Sequence, residues 1–291
     1  MKRARFILVL FLLMSLVFAG LAQQPDPAIE AKKAYNNGLE MLRKGNYDAA
    51  LQKFEEAVKL DPNLALAYYG MGIIYKRKKN FVEAEKAYKM AIEKDPNYVK
   101  AYTALGLLQS QMDKLTDALN SYQAALKIKP DEVKALWGMG YIYMKQKQYP
   151  KAIEYLKKAV EVNPKYYKAW ENLGVIYLNT KKYTQAVEAF QNALKNAKRT
   201  SRGKIYLRLG DAYLALGKLK DAETAYKNAV RLSRSSTIKA AANFGLGEVY
   251  KKRGQKQLAI QYYQKASRDR NWKQAALYEI DMIKNADKYV N

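Results

Sequence analysis

Apolar residues in this chain recur at helical spacing, and the whole pattern repeats every 34 residues. Tyr68, Met71, Gly72 and Tyr75 fall at i, i+3, i+4 and i+7, which is one face of a helix. After polar Lys78-Lys79-Asn80, a second run of Phe81, Ala84, Tyr88 and Ala91 predicts another helix. Asp95-Pro96-Asn97 stops it, because proline cannot continue a helix and Asp and Asn suit the turn. The predicted element is a helical hairpin. An Ala-x-x-x-x-Pro signal returns at Ala57 to Pro62, Ala91 to Pro96, Ala125 to Pro130 and Ala159 to Pro164. Gly38, Gly72, Gly106, Gly140 and Gly174 keep the same step. A repeat of this length cannot bury its apolar face alone, so repeats must stack. Glycine inside a helix costs about 1 kcal/mol against alanine, so its recurrence implies a packing role. Gly72 and Ala84 are expected to let the two helices of one hairpin approach closely.

The pattern aromatic-x-x-Leu-Gly-x-x-Tyr, then Ala-x-x-x-aromatic-x-x-Ala and Pro, resembles the tetratricopeptide repeat. The fifth repeat carries it in Trp170, Leu173, Gly174, Tyr177, Ala186, Phe190 and Ala193. Seven repeats are read, at 31–64, 65–98, 99–132, 133–166, 167–200, 203–236 and 240–273. The resemblance implies an all-α fold, a right-handed α-solenoid of seven hairpins. Trp272, Ala276, Ile280 and Ile283 form one more stripe, predicting a capping helix over 272–288. Some repeats depart from the pattern. The first has Ala34 and Met41 where aromatics are favoured, the third has Gln109 in place of Tyr, and the fourth has Leu156 in place of an aromatic. The fifth to seventh lack the closing Pro. The step from the second Ala to the next Gly grows from 15 residues (Ala57 to Gly72) to 17 at Gly210 and 18 at Gly247. Segments 198–202 and 231–237 are therefore expected to be longer, basic joints, the extra loop residues being tolerated.

The N-terminus adds a compartment. Lys2, Arg3 and Arg5 precede an apolar run from Phe6 to Ala19, and Gly20-Leu21-Ala22 leads into polar Gln23-Gln24-Pro25. This is the form of a secretory signal peptide over 1–22, with cleavage expected after Ala22 and a short linker at 23–30. The alternative is an uncleaved anchor, since Phe6 to Ala22 is 17 residues and about 17 to 25 span a bilayer. Both place the repeats outside the cytoplasm, in the periplasm or cell envelope.

Composition narrows the chemistry. The chain has no cysteine and no histidine. That removes disulfides, lipid attachment at a cleavage-site cysteine, the usual zinc, copper, haem and iron–sulfur ligands, and thiol or His-based catalysis. No Asp-x-Asp-x-Asp-Gly calcium loop is present. Gly70-Met71-Gly72, Gly138-Met139-Gly140 and Gly245-Leu246-Gly247 lack the third glycine, the strand and the lysine of a nucleotide loop. Neither an enzyme nor a cofactor is expected. Formal charge is +25, and it is uneven. Residues 31–132 carry 17 basic and 13 acidic side chains, a net of +4, whereas residues 133–273 carry 30 and 9, a net of +21. The C-terminal half is where an anionic partner would be drawn.

The resemblance also implies a binding face. In this family the first helices line a concave groove, with the second, fifth and ninth positions of each repeat pointing into it. The second positions give a lysine ledge of Lys100, Lys134, Lys168 and Lys204, and the fifth and ninth give Tyr35, Tyr69, Trp137, Tyr141 and Phe244. Asn172, Lys204 and Arg208 match three roles of a carboxylate clamp, but Trp137 and Tyr141 stand where its first Lys and Asn belong. An aromatic floor beside a basic ledge suits an extended peptide with acidic and apolar side chains. The expected function is a non-catalytic, exported scaffold for protein–protein interaction in the envelope. The alternative is binding of an anionic envelope polymer or lipid surface through the basic half. Nucleic acid is not expected, because export argues against it and no RNA-recognition sequence is present.

Overall fold

The structure is a computed structural model and describes residues 26–285. The expected leader at 1–22 and the end of the expected cap beyond Asn285 lie outside these residues. Fifteen helices and no strand are found among the described residues. They divide into two compact units, one running to Ile128 and the other beginning at Lys129. The first unit holds three hairpins: α1 (Pro27–Lys44) with α2 (Tyr47–Leu60), α3 (Ala65–Arg77) with α4 (Phe81–Lys94), and α5 (Val99–Gln111) with α6 (Leu115–Ile128). The second holds four: α7 (Val133–Lys145) with α8 (Tyr149–Val162), α9 (Tyr167–Asn179) with α10 (Tyr183–Asn196), α11 (Arg199–Ala215) with α12 (Leu219–Leu232), and α13 (Ser236–Lys252) with α14 (Lys256–Ala266). A last helix, α15 (Lys273–Lys284), packs on α14.

Every hairpin turns in the same way. The residue seven past the repeat glycine is left-handed: Gly45, Lys79, Asp113, Lys147, Lys181, Gly217 and Gly254. The next amide donates to a carbonyl five residues back, as from Asn80 to Tyr75 and from Gln148 to Tyr143, both at 2.9 Å. These are Schellman closures, which satisfy carbonyls that the helix end would leave open. Four of the seven positions hold a residue with a β-carbon, at φ between 59° and 64°. Between hairpins, Asp61, Asp95 and Asn163 end the second helix in extended geometry, and each side chain accepts from the amide two residues on. That bond and the following proline make the stop.

The repeat glycine has a more specific role than close helix approach. A β-carbon on Gly72 would stand 2.5 Å from the Tyr88 ring, and one on Gly174 would stand 2.5 Å from that of Phe190. The same sixteen-residue step pairs Gly38 with Phe54, Gly106 with Tyr122, Gly140 with Leu156, Gly210 with Tyr226 and Gly247 with Tyr263. Tyr88 therefore occupies the space that was expected to bring Gly72 up to Ala84, while Ala84 itself is fully buried. The first glycine of two Gly-x-Gly pairs makes room for the preceding hairpin: Gly70 for Phe54 and Gly245 for Tyr226. Those glycines thus serve packing.

Two elements differ from expectation. α1 starts at Pro27, inside the expected linker, because Asp26 accepts the Ala28 amide and proline at the first helical position needs no donor. Residues 199–202 and 236–237 belong to helices, so both expected loop joints shrink. With no proline near the joint, the extra residues add a turn to α11 and α13, each 17 residues long against 13 for α9. At Gln109 the missing tyrosine is compensated locally. Gln109 is buried, and its Oε1 accepts from the Ser121 hydroxyl at 2.7 Å. The corresponding pair elsewhere is two stacked rings, Tyr143 with Tyr155 and Tyr250 with Tyr262.

Candidate functional site

Two first helices of the second unit bring an aromatic group and a set of open donors together. On α7, Trp137 and Tyr141 are one turn apart and their rings stack, centroids 5.7 Å apart at 25°. Tyr166 closes one side of Trp137 edge-on at 6.0 Å. From α9, the Lys168 ammonium lies 5.0 Å from the Trp137 ring centroid, within the range of a cation–π contact. The indole Nε1 of Trp137 is buried and has no acceptor. Asn172, one turn beyond Lys168 on α9, likewise has a buried Nδ2 without an acceptor. A buried donor left open costs about 1–3 kcal/mol, so both atoms are a local cost to the fold. Burial pushes the Tyr166 hydroxyl up to about 12, which keeps it a neutral phenol.

The remaining expected residues take other roles. Lys204 is paired with Glu171 at 3.1 Å, so the ledge is partly neutralised. Arg208 pairs with Asp211 at 3.8 Å. Burial holds the Asp211 carboxyl above its usual range, although it accepts from the Tyr226 hydroxyl at 3.0 Å. Of the partial clamp, Lys204 and Arg208 each have a carboxylate neighbour, whereas the Asn172 amide nitrogen is buried without an acceptor. Lys134 is exposed at the start of α7. The half-buried Phe244 ring packs on Tyr263 at 5.2 Å and on Trp272 at 4.9 Å, against the core cluster at the end of the second unit.

In the first unit, Tyr35 packs on Phe54, while Tyr69 packs on Tyr88 and edge-on against Tyr98 at 5.1 Å. Lys100 is exposed. Tyr69 with Tyr98 and Trp137 with Tyr166 are the same arrangement two repeats apart. Sequence reasoning passed over Tyr98 and Tyr166, although each ends its repeat at the same register position. Nothing local to Glu171 marks it as the partner of Lys204. Among the described residues no group of three metal-ligating side chains converges.

Models described as tetratricopeptide repeat match residues 65–98, 103–161, 139–199 and 201–271, and one described as TPR repeat matches 38–79. Together they span most of the chain. No curated protein matches. Among solved structures, a tetratricopeptide repeat protein from Parabacteroides merdae ATCC 43184 is 19% identical with a TM-score of 0.59, covering 88% of this chain and 99% of that one. Pseudomonas aeruginosa pilF is 23% identical with a TM-score of 0.61, covering 70% of this chain and 90% of its own. PilW, a widely conserved type IV pilus biogenesis factor, is 20% identical with a TM-score of 0.60, covering 68% of this chain and 90% of its own. At these identities the likeness is one of fold.

Proposed function

The chain belongs to the tetratricopeptide repeat family, and on that premise we propose that it is a non-catalytic, exported scaffold of the cell envelope. It holds an extended acidic or apolar segment of another protein against the first helices of the second unit. Trp137, Tyr141 and Lys168 carry this reading: a stacked aromatic surface and an ammonium share one site. The stacked faces of Trp137 and Tyr141 would pack on apolar side chains of an extended segment, and an acidic side chain would meet Lys168. Truncating a central tryptophan at an interface costs about 2 kcal/mol or more, whereas an exposed lysine pair is worth about 0.2–1 kcal/mol. The lysine steers the partner and the aromatics hold it.

The test is affinity capture from an envelope extract, with residues 23–291 beside a Trp137→Ala/Lys168→Glu variant, each washed at low and high salt. A discrete protein kept by the native sequence at high salt and lost by the variant supports the reading and identifies the client. The net charge of +21 over 133–273 favours a second reading, attachment to an anionic envelope polymer or lipid. If both chains retain the same polyanion and release it with salt, that reading replaces the first.

A further inference from the structure

We propose that the second unit carries a phosphate-binding pocket where the start of α11 meets the α12–α13 joint, independent of the Trp137 site. A cavity of about 300 Å³ opens there, lined by Arg199, Thr200, Arg231, Arg234, Ser235 and Ile238 among others. The two basic segments that break the repeat spacing are brought into contact by Gly203. A β-carbon on it would meet the Ser233 backbone at 2.9 Å, so any larger residue would push the segments apart.

Three exposed arginines, Arg199, Arg231 and Arg234, are among the residues lining this cavity, and no acidic residue is. Arg231 donates to the neutral Asn228 side chain at 2.8 Å, a contact that leaves its charge uncompensated. The Ser235 hydroxyl caps α13 by accepting the Ile238 amide at 3.4 Å, leaving its own proton to donate. Thr200 is exposed in the first turn of α11. The first turns of α11 and α13 contain no acidic residue, and their positive helix ends add to the field.

Like charges gathered without a counter-charge repel, and a bound anion relieves that repulsion. Three forked donors match the terminal oxygens and double charge of a phosphomonoester better than a singly charged carboxylate. The volume is at the lower end of small-molecule pockets, about 300–1,000 Å³. It exceeds what a phosphate alone would fill, and Leu232 and Ile238 offer an apolar wall to the rest of the ligand. The ligand class is a small soluble phosphomonoester.

Calorimetric titration of residues 23–291 with inorganic phosphate and with glucose 6-phosphate, at ionic strength matched with chloride, tests this. Saturable one-to-one binding is expected. It should weaken at least tenfold in Arg231→Gln/Arg234→Gln and stay within twofold in Lys218→Gln/Lys220→Gln, which removes the same charge from exposed positions elsewhere. Circular dichroism confirms that both variants fold. No saturable binding to either phosphate, or equal loss in both variants, overturns the proposal. Binding to phosphatidic acid vesicles with none to the soluble phosphates also overturns it and assigns the arginines to a membrane surface.

Discussion

The ring of Phe54 fills the space a side chain on Gly38 would need, with its nearest carbon 2.6 Å from where that β-carbon would lie. The other side of the same ring presses on Gly70 of the next hairpin, at 2.7 Å. One aromatic thus sets the spacing within a hairpin and between two hairpins.

Replacing a ring-seating glycine by alanine should therefore destabilise the fold, although alanine is the better helix former by about 1 kcal/mol. Overpacking costs about 1–3 kcal/mol, and a 2.5 Å approach to the fully buried Phe190 places it at about 2–3, so Gly174→Ala should lose about 1–2 kcal/mol net. Denaturant midpoints measure it. A neutral or stabilising Gly174→Ala would show that the ring yields and that the glycine has another purpose.

The opposite substitution applies at the turns. Lys147 and Lys181 sit at φ 59°, a region that costs a residue with a β-carbon about 1–2 kcal/mol. Gly45, Gly217 and Gly254 occupy the same register position. Lys147→Gly and Lys181→Gly should each stabilise by about 0.5–1 kcal/mol, the gain being reduced by glycine's freedom in the unfolded chain. Thermal melts of the single and double variants should show roughly additive gains.

The Gln109–Ser121 pair should behave as a unit. Ser121→Ala leaves a buried amide oxygen without its donor and should cost about 1–3 kcal/mol. Adding Gln109→Tyr restores the combination seen at Tyr177 and Ala189 and should recover most of that loss. A double-mutant cycle with no coupling would contradict the compensation.

Acid should weaken the packing of α13 on α12 through Glu223. The Lys227 hydrogen bond, helped by Tyr250 and Arg253, holds this carboxyl at about 2 against a usual 4.5. A carboxyl lowered in the folded state stabilises it above the unfolded value, and that stability is lost as pH falls from about 4.5 toward 2. The melting temperature of Glu223→Gln should lie below that of the native chain at pH 7, and the gap should narrow below about pH 4.5 and close only below about pH 2. A constant gap would locate the effect in packing. Glu85, held at about 2 chiefly by the Lys114 hydrogen bond, should follow the same course.

Asn172 should be a position where the fold can be improved. Asn172→Ala removes a buried open donor and improves helix propensity, so the protein should gain about 1 kcal/mol. A lower melting temperature would mean that the amide supports the fold.

Much of this was legible along the chain, and the gaps have physical causes. The hairpins, the repeat register and the apolar stripe of α15 depend on helical period and turn residues, which are local. The lysines at 100, 134, 168 and 204 look like equal rungs in sequence. In the structure Lys168 lies over an indole and Lys204 is bound to Glu171. Phe244 takes a ring contact from Trp272, which lies beyond the last repeat hairpin. The left-handed lysines were hidden because glycine marks that turn in only three of the seven repeats.

The sequence by itself determined a stack of helical hairpins, because a 3.6-residue period and a 34-residue repeat leave each element one face to bury. Tertiary structure alone decided which cations are spent on neighbours, which donors stay open at Trp137 and Asn172, and that two basic segments enclose a cavity. Those outcomes depend on the distance between side chains from different hairpins, which packing sets and no local pattern records.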